Sequence, residues 1–193
     1  HLLEGSSSLN TEQLKALDAI QIIACGTSYH AGLIAKHWIE ELVGVPVLVE
    51  VASEFRYRKA AVLNNCLFLT ISQSGETADT LAALRASNNS GYVSSLAICN
   101  VDNSSLVRES DMSLLTYAGP EIGVASTKAF TTQLTALAFF TAMLAQAKGF
   151  DDSAKQIREA IQKLPILSEQ MLGFDGVLKQ LSSEFADKHH ALF

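Results

Sequence analysis

Cys66-Leu67-Phe68-Leu69-Thr70-Ile71 runs straight into Ser72-Gln73-Ser74-Gly75-Glu76-Thr77, and Ala78-Asp79-Thr80-Leu81-Ala82-Ala83-Leu84-Arg85 follows. The first block is short and almost wholly apolar, the pattern of a strand buried on both faces. The third is rich in Ala and Leu and reads as a helix. The middle block is a tight polar loop that feeds a helix N-terminus. The first amides of a helix lack partners inside it, and the helix dipole favours an anion there. Gly75 lets the backbone turn closely. Ser72, Gln73, Ser74 and Thr77 add uncharged donors, more than an ordinary N-cap needs. The loop lacks the Gly-Lys-Ser/Thr of a P-loop. It is expected to cradle a phosphate with amides and hydroxyls instead of Lys or Arg.

Working outward, Gln21 to Cys25 reads as another buried strand, and Gly26-Thr27-Ser28 turns into a helix from about Tyr29 to Val43, stopped by Gly44. Strands are also expected at Pro46–Val51, Ser94–Cys99 and Met112–Thr116, with short helices near Ser53–Tyr57 and Ser104–Glu109. Ser126 or Thr127 opens a long apolar helix to about Lys148, read as core or subunit interface. Thr11 is expected to cap a short helix to Ala19. Helices at Asp152–Leu164 and Ile166–Phe185 are expected to be separated by Pro165.

Strands alternating with helices predict an α/β fold: a three-layer α/β/α sandwich around a five-stranded parallel sheet of order 2-1-3-4-5, flavodoxin-like, with added C-terminal helices. Ligands in such sheets sit beyond the carboxyl ends of the strands, where the order reverses. The first and third strands flank that point. The Gly26–Ser28 turn and the Ser72–Thr77 loop are therefore expected to share one crevice.

The 193 residues fit one domain of ordinary size; nearly half (48%) are apolar, but no run approaches membrane-span length. A formal charge of −6 with no Lys/Arg cluster argues against nucleic acid as a partner. Three cysteines, Cys25, Cys66 and Cys99, at or inside predicted strands point to a reducing, cytoplasmic setting without disulfides. Cys25 reads as packing under its turn, since no base is placed beside it. His30 and His37 lie two turns apart, about 10 Å, too far to share one metal. His189 and His190 are adjacent, and on a strand they would face opposite ways. No metal and no cofactor is expected. Glu76 reads as a charge favoured by the helix dipole that should turn away from a phosphate, and Lys128 as a surface or structural lysine.

Cys25-Gly26-Thr27-Ser28-Tyr29, Ala52-Ser53-Glu54-Phe55-Arg56-Tyr57-Arg58, the Ser72–Thr80 loop, Glu121-Ile122-Gly123-Val124-Ala125-Ser126-Thr127-Lys128-Ala129-Phe130 and Asp187-Lys188-His189-His190-Ala191-Leu192-Phe193 occur in that order. Together they resemble the isomerase portion of the glutamine–fructose-6-phosphate aminotransferases, which is built from two sugar isomerase (SIS) domains. The resemblance implies binding of a hexose 6-phosphate in the pathway to glucosamine 6-phosphate. It assigns the phosphate to Ser72, Gln73, Ser74 and Thr77. It assigns sugar contacts to Thr27, with Cys25, Gly26 and Ser28 beside it, and to Val124 and Ser126. It also implies a homodimer, and a glutaminase domain and second SIS half in the full-length protein.

The family's catalytic histidine, glutamate and lysine belong to that second half and match no position here, so no catalytic residue is assigned. Glu121, beyond a strand end, is kept as a minor candidate base. The expected division is a leader and short helix at 1–19, an SIS domain at 20–150, and a helical connector leading into the second half at 151–193. The chain is thus expected to bind a sugar phosphate without turning it over. A non-catalytic sugar-phosphate sensor in a regulator is the alternative; a flavodoxin-like mononucleotide binder would carry its loop after the first strand rather than the third.

Overall fold

A computed structural model describes residues 3–4, 10–123 and 126–190. The sheet is built on four central parallel pairings of β2 (Ala19–Ala24), β3 (Val47–Val51), β4 (Cys66–Ser72), β5 (Ser94–Cys99) and β6 (Met112–Leu115). Across the sheet these five run β6-β5-β4-β2-β3, the expected 2-1-3-4-5 order. β2 and β4 are buried along their whole lengths, which explains their uninterrupted apolar runs. Ala24 of β2 lies opposite Ile71 of β4, so the two strands end side by side.

Successive residues of a strand face opposite sides of the sheet. Ile22, Leu69, Ile71 and Ile98 enter one core layer under α2 (Gly26–Val43) and α6 (Lys128–Ala147). Ile23, Phe68 and Ala97 enter the other, under α3 (Ala52–Phe55), α4 (Ala78–Ser87) and α5 (Ser105–Glu109). The sandwich therefore has three layers. Among the described residues no helix is long and apolar enough to cross a membrane.

Several expectations need correction. The leader contributes β1 (Leu3–Glu4), a two-residue strand antiparallel to the edge strand β6. α1 (Thr11–Lys15) is capped by Asn10, not Thr11, and stops well before Ala19, which already belongs to β2. The reason is a reciprocal pair: Gln13 N–H donates to Asn10 Oδ1 (2.8 Å) and Asn10 N–H to Gln13 Oε1 (3.0 Å).

Gly26-Thr27-Ser28 is not a separate turn. These residues form the first turn of α2, with extended Cys25 as its N-cap. Pro165 does not interrupt its helix either: α7 runs Asp151–Leu172 through it, and α8 follows at Asp175–Ser183. A proline in a helix frees the carbonyl four residues back. That carbonyl belongs to Ile161, which is itself partly exposed, and residues 162–190 beyond it are all exposed, so water can reach the freed carbonyl and the helix carries on. The remaining boundaries differ by a residue or two from those expected.

Candidate functional site

Two chain segments leave the sheet side by side after Ala24 and Ser72, and each turns into a helix. The first turns of α2 and α4 thus open towards the same volume. Between them lies a cleft of about 400 Å³, lined by Cys25, Gly26, Thr27, Ser28, Ser72, Gln73, Ser74, Thr77 and Ser126, together with Ile71 and Thr80. Nine of the ten residues singled out as substrate-binding are brought together there. The tenth, Val124, lies outside the described residues. None of the described lining residues carries a charge.

Thr80 was missed by sequence reasoning. It is 1% exposed and lies three residues beyond Thr77, so both occupy one face of α4. That spacing was the available signal.

Inside the loop, Gly75 N–H donates to Ser72 Oγ (3.0 Å) and Glu76 N–H to Ser74 Oγ (3.1 Å). Each hydroxyl thus uses an accepting lone pair within the loop and keeps its own proton to donate. Ser72 Oγ also lies 3.4 Å from Thr77 Oγ1. Two of the loop's amides are committed to these bonds, so the cradle leans on hydroxyl protons and on the first-turn amides of α2 and α4. A site of uncharged donors at two helix N-termini is suited to an anion with several oxygens.

Gly75 has φ +68° and sits against Ser104 and Cys99, so the turn requires glycine. The thiol of Cys66, elsewhere in β4, is pushed up to about 11 by burial and is inert at neutral pH. His30, His37, His189, His190 and Lys128 are exposed. Among the described residues no group of His, Cys, Asp or Glu is placed to hold a metal ion.

Glu121 points to the start of α6. Its carboxylate accepts from Thr127 N–H (2.8 Å), Thr127 Oγ1 (3.1 Å), Ser126 Oγ (3.2 Å) and Ala129 N–H (3.4 Å). The Thr127 amide first, and then these other donors, hold it below the usual carboxylate range. That geometry suits a cap, and a carboxylate so engaged is a weaker base. Its contribution to stability is complete above pH 4.5 and is lost as pH falls through the lowered folded value. In melting curves taken against pH, Glu121→Gln should therefore show a shallower acid-side fall than the wild type.

The SIS domain family matches residues 13–143. The chain is 58% identical over 183 residues to the glutamine–fructose-6-phosphate aminotransferase [isomerizing] of Escherichia coli K12, covering 94% of this chain and 30% of that one. It is 60% identical over 181 residues to the protein of the same name from Yersinia pseudotuberculosis, covering 93% and 30%. Among solved structures, the C-terminal domain of glucosamine-fructose-6-phosphate aminotransferase from Francisella tularensis superposes with a TM-score of 0.88 at 52% identity. That match covers 93% of this chain and 51% of the other. The chain thus spans about 30% of the length of the curated relatives it matches.

Proposed function

This chain belongs to the SIS domain family, and on that premise we propose that it is the phosphate-gripping half of the isomerase portion of a glutamine–fructose-6-phosphate aminotransferase. Its ligand is a hexose 6-phosphate, in the conversion of fructose 6-phosphate and glutamine to glucosamine 6-phosphate and glutamate. The observation that carries this reading is the convergence of the α2 first turn and the Ser72–Thr77 loop on one uncharged, donor-rich cleft. Ser72, Gln73, Ser74 and Thr77 hold the phosphate. Thr27 and Ser28, with Cys25, Gly26, Val124 and Ser126, face the sugar. Amination and ring opening are left to groups outside this chain, so the chain binds the sugar phosphate weakly and without turnover. A cytoplasmic location, a homodimer, a glutaminase domain and a second SIS half as partners, and a division near residue 150 belong to the same proposal. The relatives at 58–60% identity favour the enzyme over a sensor in a regulator.

A calorimetric titration with fructose 6-phosphate or glucose 6-phosphate tests this. Ser72→Ala and Thr77→Ala should each weaken binding by about 1–3 kcal/mol, roughly 5- to 150-fold, because each removes a charge-assisted donor. Undiminished binding by both variants, or ammonia-dependent synthesis by this chain alone, would overturn the assignment.

A further inference from the structure

The loop that lines the cleft has an underside, and that side is fastened. Gly75 O accepts from Leu106 N–H (3.0 Å), and Gln73 O accepts from the Cys99 thiol (3.9 Å). Glu76 turns its carboxylate away from the cleft, where Oε1 accepts from Ser105 N–H at 2.7 Å. The loop is thereby joined to the end of β5 and the first turn of α5 at three points, Gln73, Gly75 and Glu76. Glu76 is the only one of the three whose side chain makes the bond from the loop's side. The sequence leads to the expectation that this carboxylate turns away from a phosphate; in the structure it does so by accepting from the start of α5.

We propose that Glu76 is a positioning residue: it latches the Ser72–Thr77 loop to the start of α5 and sets the loop's affinity for a sugar phosphate without touching the ligand. The proposal rests on the reading of that loop as the phosphate site. A carboxylate is a poor neighbour for a dianion, and this one is drawn off by an amide on the far side. The Ser105 amide, chiefly, holds the Glu76 carboxyl below the usual carboxylate range. The charged groups facing it are Arg108, which assists, Glu109, which opposes, and Arg85 from α4. Arg85 donates to Glu109 through Nε (2.7 Å) and Nη2 (2.6 Å), which neutralises that opposition and ties α4 to α5.

Glu76→Ala and Glu76→Gln separate the latch from its alternatives. Two readouts are taken: glucose 6-phosphate affinity by calorimetry, and amide hydrogen exchange across 72–77 and 103–109. Alanine removes the acceptor and should weaken binding by about fivefold, the scale of a lost cap. Exchange in both segments should rise while β2 and β4 stay protected. Glutamine keeps an oxygen for the Ser105 amide and should stay within about twofold of the wild type. Unchanged affinity in Glu76→Ala overturns the proposal. So does tighter binding in both variants, since that places the charge beside the anion. Should the wild type bind no sugar phosphate, the reading of the site fails, and exchange alone then decides the latch: an unaltered pattern in Glu76→Ala refutes it.

Discussion

Gly75→Ala is expected to weaken sugar-phosphate binding by more than about 100-fold and to lower stability by about 2–4 kcal/mol. Two separate costs combine. At φ +68° an alanine sits in the left-handed region, at about 1–2 kcal/mol. Its Cβ would also stand 2.5 Å from Ser104 Cβ, with the Ser104 hydroxyl oxygen closer still, and 2.8 Å from Cys99 Sγ. Neither neighbour can yield freely, because Cys99 is fully buried in β5 and Ser104 is the 3%-exposed N-cap of α5. The loop must therefore move, and each donor it carries is misplaced at once. Gly44→Ala supplies the comparison. Gly44, at the end of α2 and outside the cleft, has φ +71° with nothing within 4 Å of an added Cβ, so it should show the conformational cost alone. Gly75→Ala with Ser104→Gly should recover part of the loss, since the strained φ and the Cys99 contact remain. Calorimetry and urea melts read both quantities, and binding by Gly75→Ala within threefold of the wild type would refute the argument.

What could be read in advance was whatever one segment decides for itself. Ser94–Cys99 was bounded correctly because its apolar run is closed on both sides by polar residues and breakers. The shared cleft followed from strand order, since Gly26 and Ser72 leave the sheet at its reversal point. The missed features depend on which segments meet. Nothing near Glu76 announces that the amide of Ser105, twenty-nine residues on, will take its carboxylate. β1 pairs with the open edge that β6 offers, a partner far along the chain. Pro165 is a helix breaker by local chemistry, and its tolerance depends on solvent around the later turns of α7. The span of α2 was misjudged for a related reason. Gly26, Thr27 and Ser28 have weak helix propensity, and it is docking of the helix on the sheet that draws them into its first turn.

The fold that aims these donors hangs on β4, and Phe68→Ala is expected to cost about 3–5 kcal/mol, a large share of the roughly 5–15 kcal/mol available to a domain. Phe68 is fully buried at the middle of the strand. Its ring meets Phe55 at 5.5 Å and Tyr92 at 4.9 Å between centroids, linking α3 to the approach to β5. Ile23, Leu84, Ala97 and Leu106 share that layer, so a cavity there loosens elements on every side of β4. In urea the midpoint should fall with the slope unchanged. Tyr57→Ala, at an 80%-exposed position, should stay within about 0.5 kcal/mol. A loss below about 1 kcal/mol for Phe68→Ala would show that the second core layer is not packed as described. Binding then separates fold from site. The folded fraction of Phe68→Ala, measured at low temperature, should keep near-wild-type affinity, because Phe68 faces away from the cleft. Gly75→Ala should not recover affinity at any temperature, because its defect lies in the loop itself.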